Sequence, residues 1–261
     1  KNMKSKTMNQ GKNEERSADY YNKWDTEKTL KHLIKRSDPL IFDVGANNGS
    51  SVNDFKRWWP ESHIHCFEPQ EECLQDLLET AASYDGVGSV RINSVAVGSV
   101  PTKEAVFYTH DINSGISGFN KINMESKDSI NLKNLSEQGH NAINNYADTL
   151  NHDRKVEVIR LDDYVNSIDS DLNIDFLKID TQGFEPEVFD GFGSKLSNVN
   201  VVLTELLFFD FYERSLSFSD IEHYLLKAGF SMYDISHISK NPMNGRTDWV
   251  DVIYVNNRLL G

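Results

Sequence analysis

Residues 39–53, "PLIFDVGANNGSSVN", limit this chain to few folds. The apolar run from Leu40 to Val44 shows almost no alternation, the pattern of a strand buried on both faces, and such strands belong to parallel sheets covered by helices. The run stops at Gly45, and from Ser50 to Trp59 the apolar spacing becomes helical. A strand that turns directly into a helix opens a strand–helix–strand unit. In open parallel sheets the ligand crevice lies outside the carboxyl ends of the strands, so this turn marks the edge where a site is expected. Gly45 allows the tight reversal, and Gly49 is expected to remove a side chain where the helix N-terminus faces a ligand.

Strand and helix signals alternate through the rest of the chain. "HIHCFEP" reads as a strand, residues 71–83 as a helix, and "SVRINSVAVG" and "EAVFYTH" as strands. "KVEVIRL", "IDFLKID" and "NVVLTEL" are further strands, residues 218–228 a helix, and "FSMYDIS" and "WVDVIYVN" a closing pair most easily antiparallel. This pattern predicts an α/β fold with a mostly parallel sheet and helices on both faces. Residues 1–16 are polar and unpatterned, a tail of no assignable role. Tyr21, Trp24, Leu30, Leu33 and Ile34 recur at helical spacing, so residues 1–36 read as tail and helix, followed by one domain over 37–261. Within it, residues 109–155 are rich in Asn, Ser and Gly and lack a sustained hydrophobic period. So long a segment in a folded domain is usually functional, and it is expected to be an insertion or acceptor lid over the active face.

Composition narrows the partners. Forty acidic residues against 27 Lys and Arg give a formal charge of −13, which argues against a nucleic-acid footprint or an anionic membrane surface. A neutral, polar or cationic small molecule is the easier partner. No stretch approaches the roughly 18 apolar residues of a membrane span, and no apolar leader region follows the N-terminal lysines. The cysteines, Cys66 and Cys73, form neither a disulfide framework nor a zinc spacing, which fits a reduced, cytoplasmic setting.

Glu68 closes the second strand about twenty residues after the glycine turn, the place from which a carboxylate accepts bonds from two ribose hydroxyls. Folds that bind NAD and folds that bind S-adenosylmethionine share this device. "GANNG" departs from G-x-G-x-x-G and lacks the third glycine used under a pyrophosphate, which favours S-adenosylmethionine. A nucleotide-dependent oxidoreductase and a non-catalytic binding module on the same fold are the alternatives.

"FDVGANNGSS", "FEPQ", "VIRLDDYV" and "IDFLKIDTQGFEPEVFDGF" together resemble the FkbM-type methyltransferases, a group of class I S-adenosylmethionine-dependent enzymes. The resemblance covers about residues 38–236, is weakest over the insertion and most specific in "LKIDTQGFEPEVFDG". The family often carries a small aliphatic residue where Thr181 stands. The resemblance implies a Rossmann-like seven-stranded sheet and methyl transfer to a hydroxyl, typically of a saccharide, glycan or secondary metabolite. It also implies a cofactor set of Asp43, Gly45, Asn47, Gly49, Ser50, Glu68, Pro69, Asp180 and Gln182. "NSVAVG", with Ser94 and Val95, would line the adenine.

Transfer to an alcohol requires that its proton leave as the new bond forms. A general base contributes about 10²–10⁴-fold, and a metal that acidifies the hydroxyl is the other device. Asp180 closes "IDFLKID" and Glu205 closes "NVVLTE", so both are expected at the ligand edge, as base or as ligands of a divalent cation, with Lys178 paired to one of them. Asp180 as the N-cap of the next helix is the competing structural role, and Glu185 in that helix's first turn is favoured by the dipole alone. His110 follows a strand and is the other base candidate. His140, His152 and His237 read as solvated. Phe208, Phe209, Phe211 and Tyr212 read as core, with stacking on a sugar ring as the functional alternative. In "LDDYV" an N-cap at Asp162 or Asp163 is expected.

Overall fold

A computed structural model describes residues 23–138 and 142–261 of the protein. The N-terminal tail, Tyr21 and His140 lie outside the described residues. Helix α1 (Thr26–Leu33) starts where the Asp25 side chain accepts the Lys28 N–H. It leads into β1 (Leu40–Val44), in which Ile41, Phe42 and Val44 are buried. Then come α2 (Ser50–Trp58), β2 (His63–Phe67), α3 (Glu71–Ala82) and β3 (Ser89–Asn93). Farther on are β7 (Ile174–Ile179), α6 (Glu185–Phe192), β8 (Val199–Leu207), α7 (Phe218–Leu225), β9 (Phe230–Lys240) and β10 (Thr247–Asn256).

The strand order is β3-β2-β1-β7-β8-β10-β9. The first five strands are parallel, and β10 runs antiparallel to both β8 and β9. The expected seven-stranded, mostly parallel sheet with a closing antiparallel pair is therefore present. Alternate residues face opposite sides of a strand, and here both sides are apolar. Ile41, Phe176, Val201 and Ile253 pack with Leu30, Val52, Phe55 and Leu77 of α1, α2 and α3. On the other face Phe42, Val44, Leu177 and Val202 pack with Val188, Phe189, Ile221 and Leu225 of α6 and α7. Among the described residues no helix is long and apolar enough to cross a membrane.

"SVRINSVAVG" is not one strand. It breaks after Asn93, whose side-chain amide donates to the Cys66 carbonyl at 2.9 Å, and resumes as β4 (Ala96–Val97) in a second sheet. β4 runs parallel to β6 (His152–Ile159), and β5 (Thr102–Thr109) runs antiparallel to β6. "EAVFYTH" and "KVEVIRL" thus leave the main sheet; local hydrophobicity marks a strand but not the edge it will join. The aspartates of "LDDYV" do not cap α5 (Leu161–Ile168). Its N-cap is Arg160, and Asp162 instead pairs with the Arg160 guanidinium at 2.6 Å.

The segment over 109–155 has structure of its own. Helix α4 (Lys127–Ser136) begins at Ser126, whose hydroxyl accepts the Ser129 N–H. Arg246, at the end of the β9–β10 connection, pairs with Asp128 of α4 at 2.9 Å. Ile122, Tyr146 and Leu150 form a small core with Leu207, Phe211 and Tyr212. This burial anchors the segment beside the tip of β8.

Candidate active site

The carboxyl ends of β1, β2 and β7 meet at a cleft. Gly45 leaves β1 at φ +82°, and Asn47 follows at φ +46°. The left-handed backbone turns the Asn47 N–H towards β2, where Glu68 Oε2 accepts it at 2.8 Å. Glu68 Oε1 accepts the Gln70 N–H, also at 2.8 Å. Burial pushes the Glu68 pKa up, and these two backbone bonds work against the shift. An ionised carboxylate has about four acceptor positions, so two remain for ligand hydroxyls.

Of the residues named from the sequence, Gly45, Asn47, Glu68, Pro69, Asp180 and Gln182 line this cleft. Five residues of the expected cofactor set do not. Asp43 is fully buried beneath the turn, bound by the Ser51 hydroxyl and facing Lys178 Nζ at 3.5 Å. Gly49 serves packing: a β-carbon there would stand 3.0–3.1 Å from Leu77 and Thr80 of α3. Ser50 is exposed, its hydroxyl donating to Asn48 Oδ1 at 2.8 Å. Ser94 lines a neighbouring cleft with Gln70 and Arg154. Val95 packs into the core, while Ala96 and Val97 face the site cleft in its place.

The rest of the wall was not legible as site residues. Ser114, Gly115, Ser117 and Phe119 come from the 109–155 segment and Phe107 from β5. The Ser114 hydroxyl donates to Asn47 Oδ1 at 3.1 Å, and the Ser114 carbonyl accepts from Gln70 Nε2 at 3.3 Å. Gln70 Oε1 and Ser117 Oγ are buried without a hydrogen-bond partner. Buried polar atoms are rarely left unpaired. Two such atoms, a carboxylate with free lone pairs and the apolar rings of Phe107 and Phe119 match a nucleoside with a ribose diol and a heteroaromatic base.

At the other end of the cleft, Asp180 follows β7 directly and its side chain is 37% exposed. It does not cap α6, whose N-cap is Phe184. Lys178 Nζ lies 3.4 Å from Asp180 Oδ2 and 3.5 Å from Asp43 Oδ1, and these two carboxylates hold its pKa above the ordinary lysine value despite burial. Glu205 lies within β8, two residues before its end. Gln182 stands between them, its Nε2 donating to Asp180 Oδ1 at 2.8 Å and to Glu205 Oε2 at 3.0 Å. Burial, then Asp180, Glu185 and Asp251, push the Glu205 pKa well above the usual carboxylate range. A divalent cation shared by Asp180 and Glu205 does not match this arrangement, because an amide already joins them. Among the described residues no group of three or more His, Cys, Asp or Glu side chains is placed to hold a metal.

The loop carrying Gln182 is held from below. Glu185 is buried, and its Oε1 accepts from the Thr181 N–H (2.9 Å), the Thr181 hydroxyl (3.0 Å) and the Gly183 N–H (3.3 Å). Its place in the sequence suggested only a dipole effect, yet it clamps the loop, and burial raises its pKa to about 7. Gln182 itself has φ +56°, a conformation a non-glycine residue holds only when its surroundings fix it. Tyr212, expected as core, is buried but also places its hydroxyl 2.8 Å from Gln182 Oε1 and 2.9 Å from the Ile116 carbonyl.

His110 is separated from this group. It lines an adjacent polar cleft with Cys73, Asp76 and Arg154. Its Nδ1 accepts the Asn151 N–H at 3.0 Å, which places the proton of the neutral ring on Nε2. Burial lowers its pKa to about 4. With Nδ1 bonded and Nε2 protonated, no ring nitrogen is left to act as a base. His152 Nε2 lies 3.2 Å from Asp111, and His237 is exposed opposite Asp251 in the β9–β10 register.

Residues 43–232 match the methyltransferase FkbM domain. The 2-O-methyltransferase NoeI of Sinorhizobium fredii (strain NBRC 101917 / NGR234) is 25% identical over 186 residues, 70% of each protein. Among solved structures, the magnesium protoporphyrin IX methyltransferase ChlM of Synechocystis PCC 6803 with bound SAM aligns over 88% of this chain and 79% of its own. That alignment has 9% identity and a TM-score of 0.44. An rRNA methylase of Streptococcus thermophilus aligns over 88% of this chain and 93% of its own, with 10% identity and a TM-score of 0.45. The family match covers most of the chain, including the glycine turn, Glu68 and the Asp180–Glu185 loop, so the protein belongs to the FkbM methyltransferase family and is an S-adenosylmethionine-dependent methyltransferase.

Proposed function

We propose that the enzyme is an O-methyltransferase acting on a hydroxyl of a saccharide, glycan or related secondary metabolite, with Asp180 as the general base. The observation that carries this reading is the position of Asp180, a partly exposed carboxylate in the same cleft as Gly45 and Glu68. Similarity to a 2-O-methyltransferase supports oxygen as the accepting atom. The charge of −13 supports a neutral or cationic acceptor over nucleic acid or an anionic membrane.

The bound cofactor supplies an electrophilic methyl group on a positively charged sulfur. Glu68 holds the ribose hydroxyls, and Gln70 Oε1 and Ser117 Oγ offer partners to the rest of the nucleoside. Phe107 and Phe119 exclude water from the base. Asp180 accepts the acceptor's hydroxyl proton as the oxygen attacks, and Lys178 stays beside it as a fixed positive charge. Much of the acceleration in such a displacement comes from positioning, worth up to roughly 7–11 kcal/mol. The insertion walls the cofactor side through Ser114 and Phe119 and reaches the acceptor side through Asn120, whose amide donates to the Gln182 carbonyl at 3.2 Å.

The test is incubation with S-adenosylmethionine carrying a carbon-13 methyl group and a panel of neutral mono- and oligosaccharides. The expected result is a labelled O-methyl signal with stoichiometric S-adenosylhomocysteine. Labelling of nitrogen or carbon only, or no product from any hydroxyl acceptor, would overturn the reading.

A further inference from the structure

We propose that Gln182 is a positioning residue for the Asp180–Glu205 pair, its amide oriented by the Tyr212 hydroxyl so that both N–H bonds face the two carboxylates. This goes beyond the cofactor contact expected for Gln182 and rests on the reading of Asp180 as the base.

The orientation follows from donors and acceptors. Two carboxylate oxygens lie within 3.0 Å of one end of the amide, and a hydroxyl lies 2.8 Å from the other. An ionised carboxylate only accepts and an NH₂ group only donates, so Nε2 belongs on the carboxylate side. The single Tyr212 hydroxyl proton is then shared between two acceptors, Gln182 Oε1 and the Ile116 carbonyl. The backbone is fixed as well, by the left-handed φ of Gln182, the Glu185 clamp beneath the loop and the Asn120 amide on the Gln182 carbonyl.

The arrangement solves a problem set by the fold. Adjacent parallel strands bring two acidic side chains to one place, where like charges oppose ionisation of both. Lys178 is 3.4 Å from Asp180 Oδ2 and pairs with Asp43 on its other side. Among the described residues, Glu205 has no cation at such a distance. The groups around the pair are Asp43 from β1, Lys178 from β7, Glu185 from α6, Tyr212 after β8, Asp251 from β10 and His237 opposite it on β9. Acids outnumber bases in this ring. Gln182 is the neutral donor that bonds to both members at once. Because Tyr212 also bonds to Ile116, the pair is tied to the insertion that walls the cofactor cleft.

The test needs no acceptor. Carbon-13 carboxyl resonances of the full chain are titrated in wild type, Gln182→Met and Tyr212→Phe, and S-adenosylhomocysteine affinity is measured in each. Hydrogen bonds to the charged form stabilise it, so removing the amide is expected to move the Glu205 titration upward by about one to two pH units. Tyr212→Phe is expected to give a smaller shift in the same direction, with its affinity within threefold of wild type. Tyr212→Phe deletes a single oxygen and serves if Gln182→Met melts non-cooperatively. An unchanged titration overturns the proposal, and if affinity falls tenfold at the same time Gln182 is a cofactor contact instead. Loss of the O-methyltransferase reading would leave these titrations unaffected.

Discussion

The carbonyl oxygen of Asp180 occupies the space in which a side chain on Gly45 would begin. A β-carbon at residue 45 would lie 2.0 Å from it. The glycine turn after β1 and the loop after β7 are therefore in backbone contact, and only glycine permits that distance.

Gly45→Ala is expected to be among the most damaging single changes in the protein. It adds a collision with backbone to a residue at φ +82°, and strain of the second kind alone costs about 1–3 kcal/mol. Gly86 is the control, with φ +83° and nothing within 4 Å of an added β-carbon. Thermal melts should show a larger loss for Gly45→Ala than for Gly86→Ala, with S-adenosylhomocysteine binding lost only in the former. Equal losses would mean that the backbone contact is looser than described.

Glu68→Gln keeps the size of the side chain and removes its charge. Charge-assisted hydrogen bonds contribute about 1.5–3 kcal/mol, so affinity for S-adenosylhomocysteine is expected to fall about ten- to a hundredfold. Calorimetry on a cooperatively folding variant checks this, and unchanged affinity would remove Glu68 from the site.

Asp180→Asn retains shape and removes the charge on which the proposed base role depends. Turnover should drop by about 10²–10⁴ under saturation with both substrates, while cofactor affinity changes less than threefold. Activity within a few-fold of wild type would reduce Asp180 to a partner of Lys178 and Gln182.

Glu185 makes the stability of the loop over residues 180–183 depend on pH. Its pKa is raised in the folded protein to about 7, from an ordinary 4.5, because the carboxyl is buried. The folded state then holds a proton that the unfolded chain releases, so this contribution is fully present below pH 4.5. It fades as pH rises through about 7 and is absent above. Across that window it amounts to about 3 kcal/mol. The difference in unfolding free energy between wild type and Glu185→Gln, followed from pH 4.5 to 8, should trace this slope. A flat difference would mean that the carboxyl is better solvated than its burial implies.

The sequence by itself determined the α/β class and the ligand edge. An apolar run without alternation is buried on both faces, the pattern typical of a helix-covered parallel sheet, and a parallel sheet collects its strand ends at one side. Gly45, Glu68 and Asp180 are strand ends, which is why they were legible as a group before any distance was known. The tertiary structure decided what those residues touch. Ser114 meets Asn47 from 67 residues away, and Tyr212 meets Gln182 from 30. Neither contact leaves a trace in local periodicity, which encodes how deeply a side chain is buried but not which surface arrives against it. For the same reason β5 and β6 read as strands while their separate sheet did not, and Glu185 read as a first-turn acid while its clamp on Thr181 and Gly183 did not. His110 shows the converse: its position after a strand suggested a base, and burial against Asn151 set its nitrogens to another use.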